Sequence, residues 1–418
     1  MLALVGAGVV AAFHIGKAPA ALPVLRAELG LTLAESAWVI SAFNVLGVAT
    51  GMALGALADR LGHRRVVLAG FALLAVAGAA GAMARGPGGL LAARFAEGLG
   101  FMAVVVAVPA LVRAFARPRD LGLALGFWST YMPAGMAGML ALAPLALAPW
   151  GWRGLWLANA VAAACFALAL AAATRGAPAI AGPPRAGFMA GMRATLAAPG
   201  PPLLSAIFAC YTLHYLAVLG FLPTLLAEEH GVAPGMAAAM AGLAVALNIP
   251  GNLAGGWLVH RGAPRWALVL AVNAGMGACS LAIHAGGLGL APRYALCAAL
   301  SMLGGVLPAA VIGAVPGLAP SRDLAAASNG LVMQGSNLGQ MVGPPAVAAL
   351  AAATGGWTWS PLVLLAASAA GALLALRLRA LEARRREQLM EAREQRGSVN
   401  RSPHFLPRKG SKATSGTP

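Results

Sequence analysis

The chain has 418 residues, 60% of them hydrophobic and 10% charged, with a formal net charge of +17. So much apolar surface excludes a water-soluble globular protein, and the excess of basic over acidic residues raises nucleic acid as a partner only until the positions of the charges are read. The mean hydropathy of +0.79 places the chain among membrane proteins.

An apolar run of about 20 residues is long enough to cross a bilayer core, and inside lipid a spanning segment must satisfy its own backbone, as a helix does. Twelve such runs follow one another, at 2–23, 36–58, 66–84, 90–112, 121–148, 152–173, 203–226, 236–259, 265–284, 292–317, 324–352 and 357–377. The chain therefore reads as an all-α membrane protein with twelve transmembrane helices.

The first span holds Lys17, the one lysine placed inside a span, six residues before Pro23 and so about 9 Å below the outer surface. Side chains on this helix lean toward its start, away from the nearer interface. His14 lies three residues deeper on the same face. Ala18-Pro19-Ala20 has the small residues of a leader cleavage site, but no basic segment precedes the apolar run.

Between the second and third spans stands Gly55-Ala-Leu-Ala-Asp59-Arg60-Leu-Gly62-His-Arg64-Arg65. Asp59 ends a helix, where the helix dipole disfavours negative charge, so it needs a partner elsewhere. The fourth span contains Arg94-Phe-Ala-Glu97-Gly98-Leu-Gly100. Arg94 and Glu97 share a helix face. Arg94 lies close to the outer surface and is expected to lean toward water. Glu97 lies about 10 Å inside the span. Intramembrane ionisable residues are functional candidates, and burial disfavours a charged carboxyl, so Glu97 can carry a proton. A structural ion pair with Arg94 is the other reading. The fifth span carries Gly126-Phe-Trp128-Ser-Thr-Tyr131-Met-Pro133-Ala-Gly135.

The basic residues are sorted by topology. Twelve fall in loops facing one side and eleven more lie from Arg377 onward, whereas Arg26, Arg85, Arg153 and Arg293 lie in or beside the opposite loops. By the positive-inside rule both termini are cytoplasmic in a multi-pass protein of a bacterial inner membrane. The basic groups hold topology and touch anionic lipid, so membrane lipid, and not nucleic acid, is the expected partner.

Shifted by 200 residues, the chain matches itself. His14 falls on His214, Leu22-Pro23 on Leu222-Pro223, Gly51 and Gly55 on Gly251 and Gly255, and Gly62 on Gly262. Residues 1–173 and 203–379 are thus two six-helix halves, and the first span, having a counterpart in the seventh, is expected to be retained. A parallel repeat of this kind is a plan of secondary transporters, with the binding site near the midplane between the halves. Residues 174–202 read as a cytoplasmic connector and 380–418 as a basic, largely disordered tail, with helical spacing over 380–396.

In the seventh span His214 shares a face with Tyr211 and Tyr215, and the eleventh carries Gln334-Gly-Ser336-Asn337-Leu-Gly339-Gln-Met-Val-Gly343. Gly335, Gly339 and Gly343 are four apart and allow close helix packing, while Gln334 and Asn337 share a face and can either bind solute or bridge helices. Asn44, Asn248 and Asn252 are weaker candidates of the same kind. Cys165, Cys210, Cys279 and Cys297 fall inside spans at spacings that suit neither zinc nor disulfides. No phosphate loop, metal cluster or nucleophile arrangement is visible, so the sequence calls for no cofactor, no metal and no enzyme activity.

The stretch from Gly55 to Arg65 resembles the loop 2–3 signature of the major facilitator superfamily, G-x-L-A-D-R-x-G-R/K-R/K, and Arg94 to Gly100 resembles that family's R-x-x-Q-G-x-G motif with Glu in place of Gln. The start of the fifth span is similar to the cyanate and nitroimidazole permease group, and it lacks the Gly-Pro pair of G-x-x-x-G-P-x-x-G-G that exporters of the family often show. The resemblance implies two six-helix halves, a cavity lined by spans 1, 4, 7 and 10, and an Asp59 contact near Asp323 to Asn329 that closes the cytoplasmic side, with Gly55, Asp59, Arg60, Gly62, Arg64 and Arg65 as the gating motif. The expected function is a monomeric, proton-coupled carrier of a small solute, an organic anion first, with His14, Lys17, Tyr131, Tyr211, His214, Gln334 and Asn337 binding it and Glu97 and Arg94 coupling it to protons. A proton-driven drug or metabolite exporter and a transport-inactive membrane sensor are the alternatives.

Overall fold

The computed structural model of the protein describes residues 2–117, 128, 130–175, 188–284, 288–321 and 324–399, without the side chains of a few helical residues, Gly55, Asp59 and Arg60 among them. The helices are α1 (Leu2–Leu29), α2 (Leu33–Leu61), α3 (His63–Ala82), α4 (Pro87–Phe115), α5 (Tyr131–Ala173), α6 (Phe188–Ala197), α7 (Gly200–His230), α8 (Pro234–Ala246), α9 (Asn248–His260), α10 (Arg265–Ile283), α11 (Leu290–Leu318), α12 (Ala325–Thr354) and α13 (Pro361–Val399). Among the described residues no strand occurs.

Local chemistry explains where these helices begin and end. Thr32 and Glu35 form a capping box at the start of α2, the Glu35 backbone N–H donating to Thr32 Oγ1 at 3.2 Å and the Thr32 backbone N–H to Glu35 Oε2 at 2.9 Å. Proline opens α4 and α8, where its missing N–H costs nothing. α7 stops at Gly231 and α12 at Gly355, with φ of 64° and 74°, values that suit glycine.

Among the described residues ten helical stretches are long and apolar enough to cross a membrane. The difference from twelve has two causes. Spans 5 and 6 run together as α5, which turns back on itself at Gly151 with φ 62° and ψ −168°, a conformation essentially restricted to glycine. The other is α12, which is 30 residues long and has no charged residue but is made too polar by Gln334, Ser336, Asn337 and Gln340. Span 8 is interrupted between α8 and α9 at Leu247.

The connector contains α6, which meets Leu324 at Gly191. α13 continues unbroken from the last span to Val399, through the stretch of helical spacing at 380–396. The Glu, Arg and Gln at helical spacing that follow Arg377 favour continuing the helix over stopping it. Residues 400–418 lie outside the described residues.

Each half packs through its small residues. At Gly98 a side chain would strike the Phe43 carbonyl of α2. Gly335, Gly339 and Gly343 of α12 sit against the backbone carbonyls of Ser205, Ala209 and Leu213 on α7, a close approach that only glycine allows. Between the halves, α2 packs on α12 and α5 on α8. The second seam is tightest where Gly242 faces the Ala137 carbonyl and Gly235 faces Pro144.

Ion pairs gather at the end of the bundle predicted to be outer. Glu28 binds Arg153 and accepts from Trp152 Nε1 at 2.8 Å, Arg153 also reaches the Ala84 carbonyl at 3.2 Å, Glu229 pairs with Arg293, and Arg26 pairs with Glu228 across the two halves.

Overpacking a close helix contact costs about 1–3 kcal/mol. Gly98→Ala and Gly339→Val are therefore expected to lower the melting temperature of the detergent-solubilised protein. Gly256→Ala, where a Cβ would meet nothing within 4 Å, is expected to leave it unchanged.

Candidate functional site

α1 and α4 bring four ionisable side chains together, all completely buried: His14, Lys17, Arg94 and Glu97. Lys17 Nζ pairs with Glu97 Oε1 and lies 3.2 Å from His14 Nδ1. His14 Nδ1 is also 3.3 Å from Glu97 Oε1. Arg94 donates from Nη1 to Glu97 Oε2 at 2.6 Å and to the His14 carbonyl at 2.7 Å, and from Nε to the Val39 carbonyl at 3.1 Å. One carboxylate thus serves two fixed cations, and one arginine ties α4 to the backbones of α1 and α2. Lys17 lies 4.7 Å from the Trp156 ring centre and Arg94 4.5 Å from that of Phe43, contacts that favour a desolvated cation. Gly78 of α3 and Ala160 of α5 leave room for the Glu97 carboxylate.

The placement differs from expectation in two ways. Arg94 does not lean toward water, because three acceptors inside the bundle, Glu97 and the carbonyls of His14 and Val39, satisfy it there. His14 and Lys17 do not face the other half: their partners come from α4 and α5, inside the N-terminal half.

The histidine repeat is real in position and different in chemistry. His214 Nε2 is 2.5 Å from Ser280 Oγ on α10, and its Nδ1 is 3.0 Å from Ser368 Oγ on α13. It therefore faces the interior of its own half, and it shares no hydrogen-bond partner with Tyr211 or Tyr215, so the expected common pocket of His14, Lys17 and His214 is not formed. Lys17 maps onto Ala217, an apolar buried residue, which leaves the second copy without its charge.

At mid-depth the two halves carry aromatic and uncharged polar groups. In the first, Trp128 stacks on Tyr131 at 4.5 Å between ring centres, Tyr131 lies 6.4 Å from Phe101, and Phe101 lies 5.1 Å from Phe43. Gly8 of α1 makes the space for Trp128 and Tyr131. In the second, Phe208, Tyr211 and Tyr215 follow one another at 5.8 and 5.6 Å. Asn248 donates to the Ser301 carbonyl at 3.0 Å and to Tyr211 Oη at 3.4 Å, Asn252 donates to Asn248 Oδ1 at 2.7 Å, and Tyr215 Oη is 3.5 Å from Ser301 Oγ. Tyr131 and Tyr215 are only partly buried. The sequence reading passed over Phe43, Phe101, Phe208 and Ser301. Their signal was present, since each falls at the depth of a tyrosine or asparagine already singled out on a neighbouring span.

Gln334 and Asn337 lie on the seam between the halves. Gln334 Nε2 donates to the Val48 carbonyl of α2 at 2.8 Å, and Asn337 fits against Gly47 while donating to the Met333 carbonyl at 2.8 Å. Arg64 of the loop 2–3 motif donates to Thr174 Oγ1 at 3.0 Å and to the Ala171 carbonyl at 2.9 Å, joining the start of α3 to the end of α5. Gly62 has φ 91°, which a side chain would strain, and Arg65 is exposed. The expected contact between Asp59 and the start of span 11 lies outside the described residues, as do Asp323 and the side chain of Arg60.

A family model described as Major Facilitator Superfamily matches residues 4–300 and 207–411, nearly the whole chain. The chain is 32% identical over 140 residues to the cephamycin export protein CmcT of Amycolatopsis lactamdurans, a stretch covering 33% of this chain and 29% of that protein. It is 29% identical over 140 residues to the methyl viologen resistance protein SmvA of Salmonella typhimurium, covering 33% and 28%. Against the multidrug resistance protein Stp of Mycobacterium tuberculosis it is 33% identical over 141 residues, covering 33% and 26%. The aligned stretches span less than a third of each relative's length. In fold, the chain is similar to a bacterial homologue of the human lysosomal transporter Spinster in an inward-facing, unoccupied conformation, with a TM-score of 0.72, 15% identity, and coverage of 90% of this chain and 93% of that one. Sequence, repeat and architecture agree: this chain is a multi-pass membrane protein of the Major Facilitator Superfamily.

Proposed function

We propose that the protein is a proton-driven exporter of small aromatic or amphipathic solutes, acting as a monomer by alternating access in a bacterial inner membrane with both termini in the cytoplasm. One observation carries this reading. The partly buried residues at mid-depth are aromatic and uncharged, while the charges well inside the spans, Lys17, Arg94 and Glu97, are spent on one another inside the N-terminal half. Solute would stack on Tyr131 and Tyr215 and bond to Asn248 or Asn252. The export and resistance functions in the relatives' names support export as the direction.

Proton coupling enters at the buried cluster. His14 Nδ1 can accept from Lys17 or donate to Glu97, not both, so the cluster has two hydrogen-bonding arrangements that differ by where one proton sits. A second reading, carriage of a small organic anion, is favoured by the excess of cationic groups there and by Arg94 Nη2 and His14 Nε2, which lack hydrogen-bond partners. An anion would replace Glu97 beside Lys17 once the bundle opened.

Methyl viologen is the probe that separates these readings. Everted vesicles containing the protein are expected to accumulate it when the lumen is acidified, and Tyr131→Ala or Tyr215→Ala is expected to raise the half-saturating concentration by about 3- to 10-fold, matching an aromatic contact of about 0.5–1.5 kcal/mol. Absence of accumulation, together with thermal stabilisation by organic anions that Lys17→Met abolishes, would establish the anion carrier instead.

The cluster predicts an asymmetric mutant series. Removing one partner of a buried ion pair costs about 3–5 kcal/mol. Glu97→Gln alone strands Lys17 and Arg94 and is expected to reduce the yield of folded protein. Lys17→Met combined with Glu97→Gln strands Arg94 alone, which keeps the His14 and Val39 carbonyls, and is expected to recover part of the folded yield while losing pH-driven accumulation, as measured by size-exclusion profile and vesicle uptake. Full accumulation by the double variant would remove the cluster from coupling.

Reporter fusions at Gly176 and after Pro418 are expected to be active only as cytoplasmic reporters. A periplasmic reporter active at either site would reverse the topology.

A further inference from the structure

α13 leaves the membrane with an unusual stripe. Leu374, Arg377, Leu381 and Arg384 stand at helical spacings of three, four and three and share one face. That face, with Ala380, closes over the start of α7, where Pro199, Pro202, Leu203 and Ala206 form the opposite wall of a groove of about 500 Å³. Walls of proline, leucine and alanine offer nothing to a polar ligand but suit a hydrocarbon chain.

The charges at the rim are uncommitted. Arg377 and Arg384 are exposed, and neither makes a hydrogen bond or ion pair among the described residues. Their neighbours are engaged: Arg379 lies 4.9 Å from the Trp266 ring centre, and Arg385 donates to the Ala319 carbonyl at 3.5 Å. Of the nearby acids, Glu382 points away from the stripe by helical phase and Glu387 lies beyond the groove.

Position supplies the remaining argument. The groove sits where the last apolar run gives way to a basic helix, at the end of the bundle that collects most of the chain's arginines. Basic pockets between transmembrane helices at that level bind anionic headgroups.

We propose that this groove is a binding site for an anionic phospholipid of the cytoplasmic leaflet. An acyl chain lies between α7 and α13, and the phosphodiester is held by Arg377 and Arg384, about 10 Å apart along the helix. Guanidinium groups suit this role because their planar donors match phosphate oxygens.

The test uses the full-length protein, delipidated in detergent, exposed to phosphatidylglycerol or phosphatidylcholine and read by native mass spectrometry. Wild type is expected to retain phosphatidylglycerol at least twofold over phosphatidylcholine. Arg377→Gln with Arg384→Gln should abolish the preference, and Ala206→Trp, which fills the apolar wall without changing charge, should lower retention of the lipid. Arg379→Gln, on the opposite face of the same helix, should not change it. The site is overturned if the double variant retains phosphatidylglycerol like wild type, if Arg379→Gln reduces retention equally, or if inorganic phosphate displaces the lipid at equal concentration. Unchanged retention by Ala206→Trp would likewise overturn the acyl-chain assignment. Should the double variant elute as aggregate, the Ala206→Trp and Arg379→Gln results decide the question.

Discussion

The carboxylate of Glu97 carries the charge balance of the N-terminal half. Lys17 and Arg94 are fully buried, where an uncompensated cation costs several kcal/mol, and both meet this one acid. Because Arg94 also holds the carbonyls of His14 and Val39, the same interaction fixes the spacing of α1, α2 and α4. The proposed coupling site and the architecture therefore share atoms, and a change at this one carboxylate touches three helices directly.

The second half shows what the same scaffold looks like when uncharged. His214 occupies the position of His14 but turns toward other helices: its partners are two serine hydroxyls on α10 and α13, where those of His14 are ions on α1 and α4. Such hydroxyls satisfy a neutral ring with no need for a counter-charge. The two halves are thus alike in shape and unlike in electrostatics.

Much of the fold was legible in the sequence because lipid imposes strict rules: the apolar runs, the skew of arginine and the 200-residue repeat each follow from them. Depth was legible too, since helical rise alone put Lys17 and Glu97 at the same level, where the structure pairs them. What helical rise does not give is the direction in which a face points. Whether the His14 face of α1 meets the other half or its own depends on the rotation of α1, which is set by glycines such as Gly8 and Gly16 packing on α5. Spacing alone could not choose between those outcomes, and for the same reason Arg94 was read as reaching water. The tail helix is marked only by the helical spacing over 380–396, because a helix of charged residues differs little in composition from a disordered segment.

Gly151 has a wider consequence. By reversing the chain in one residue, it leaves no loop between the two arms of α5, and the other connections at that end are nearly as spare, none longer than the six residues of 284–289 or 355–360. The connection that carries α6, between Ala173 and Gly200, and the tail both leave from the opposite end. A protease, an antibody or a partner protein approaching from the Gly151 side would find helix ends and little else to grip. Anything that reads or modifies this protein has its purchase on the other face.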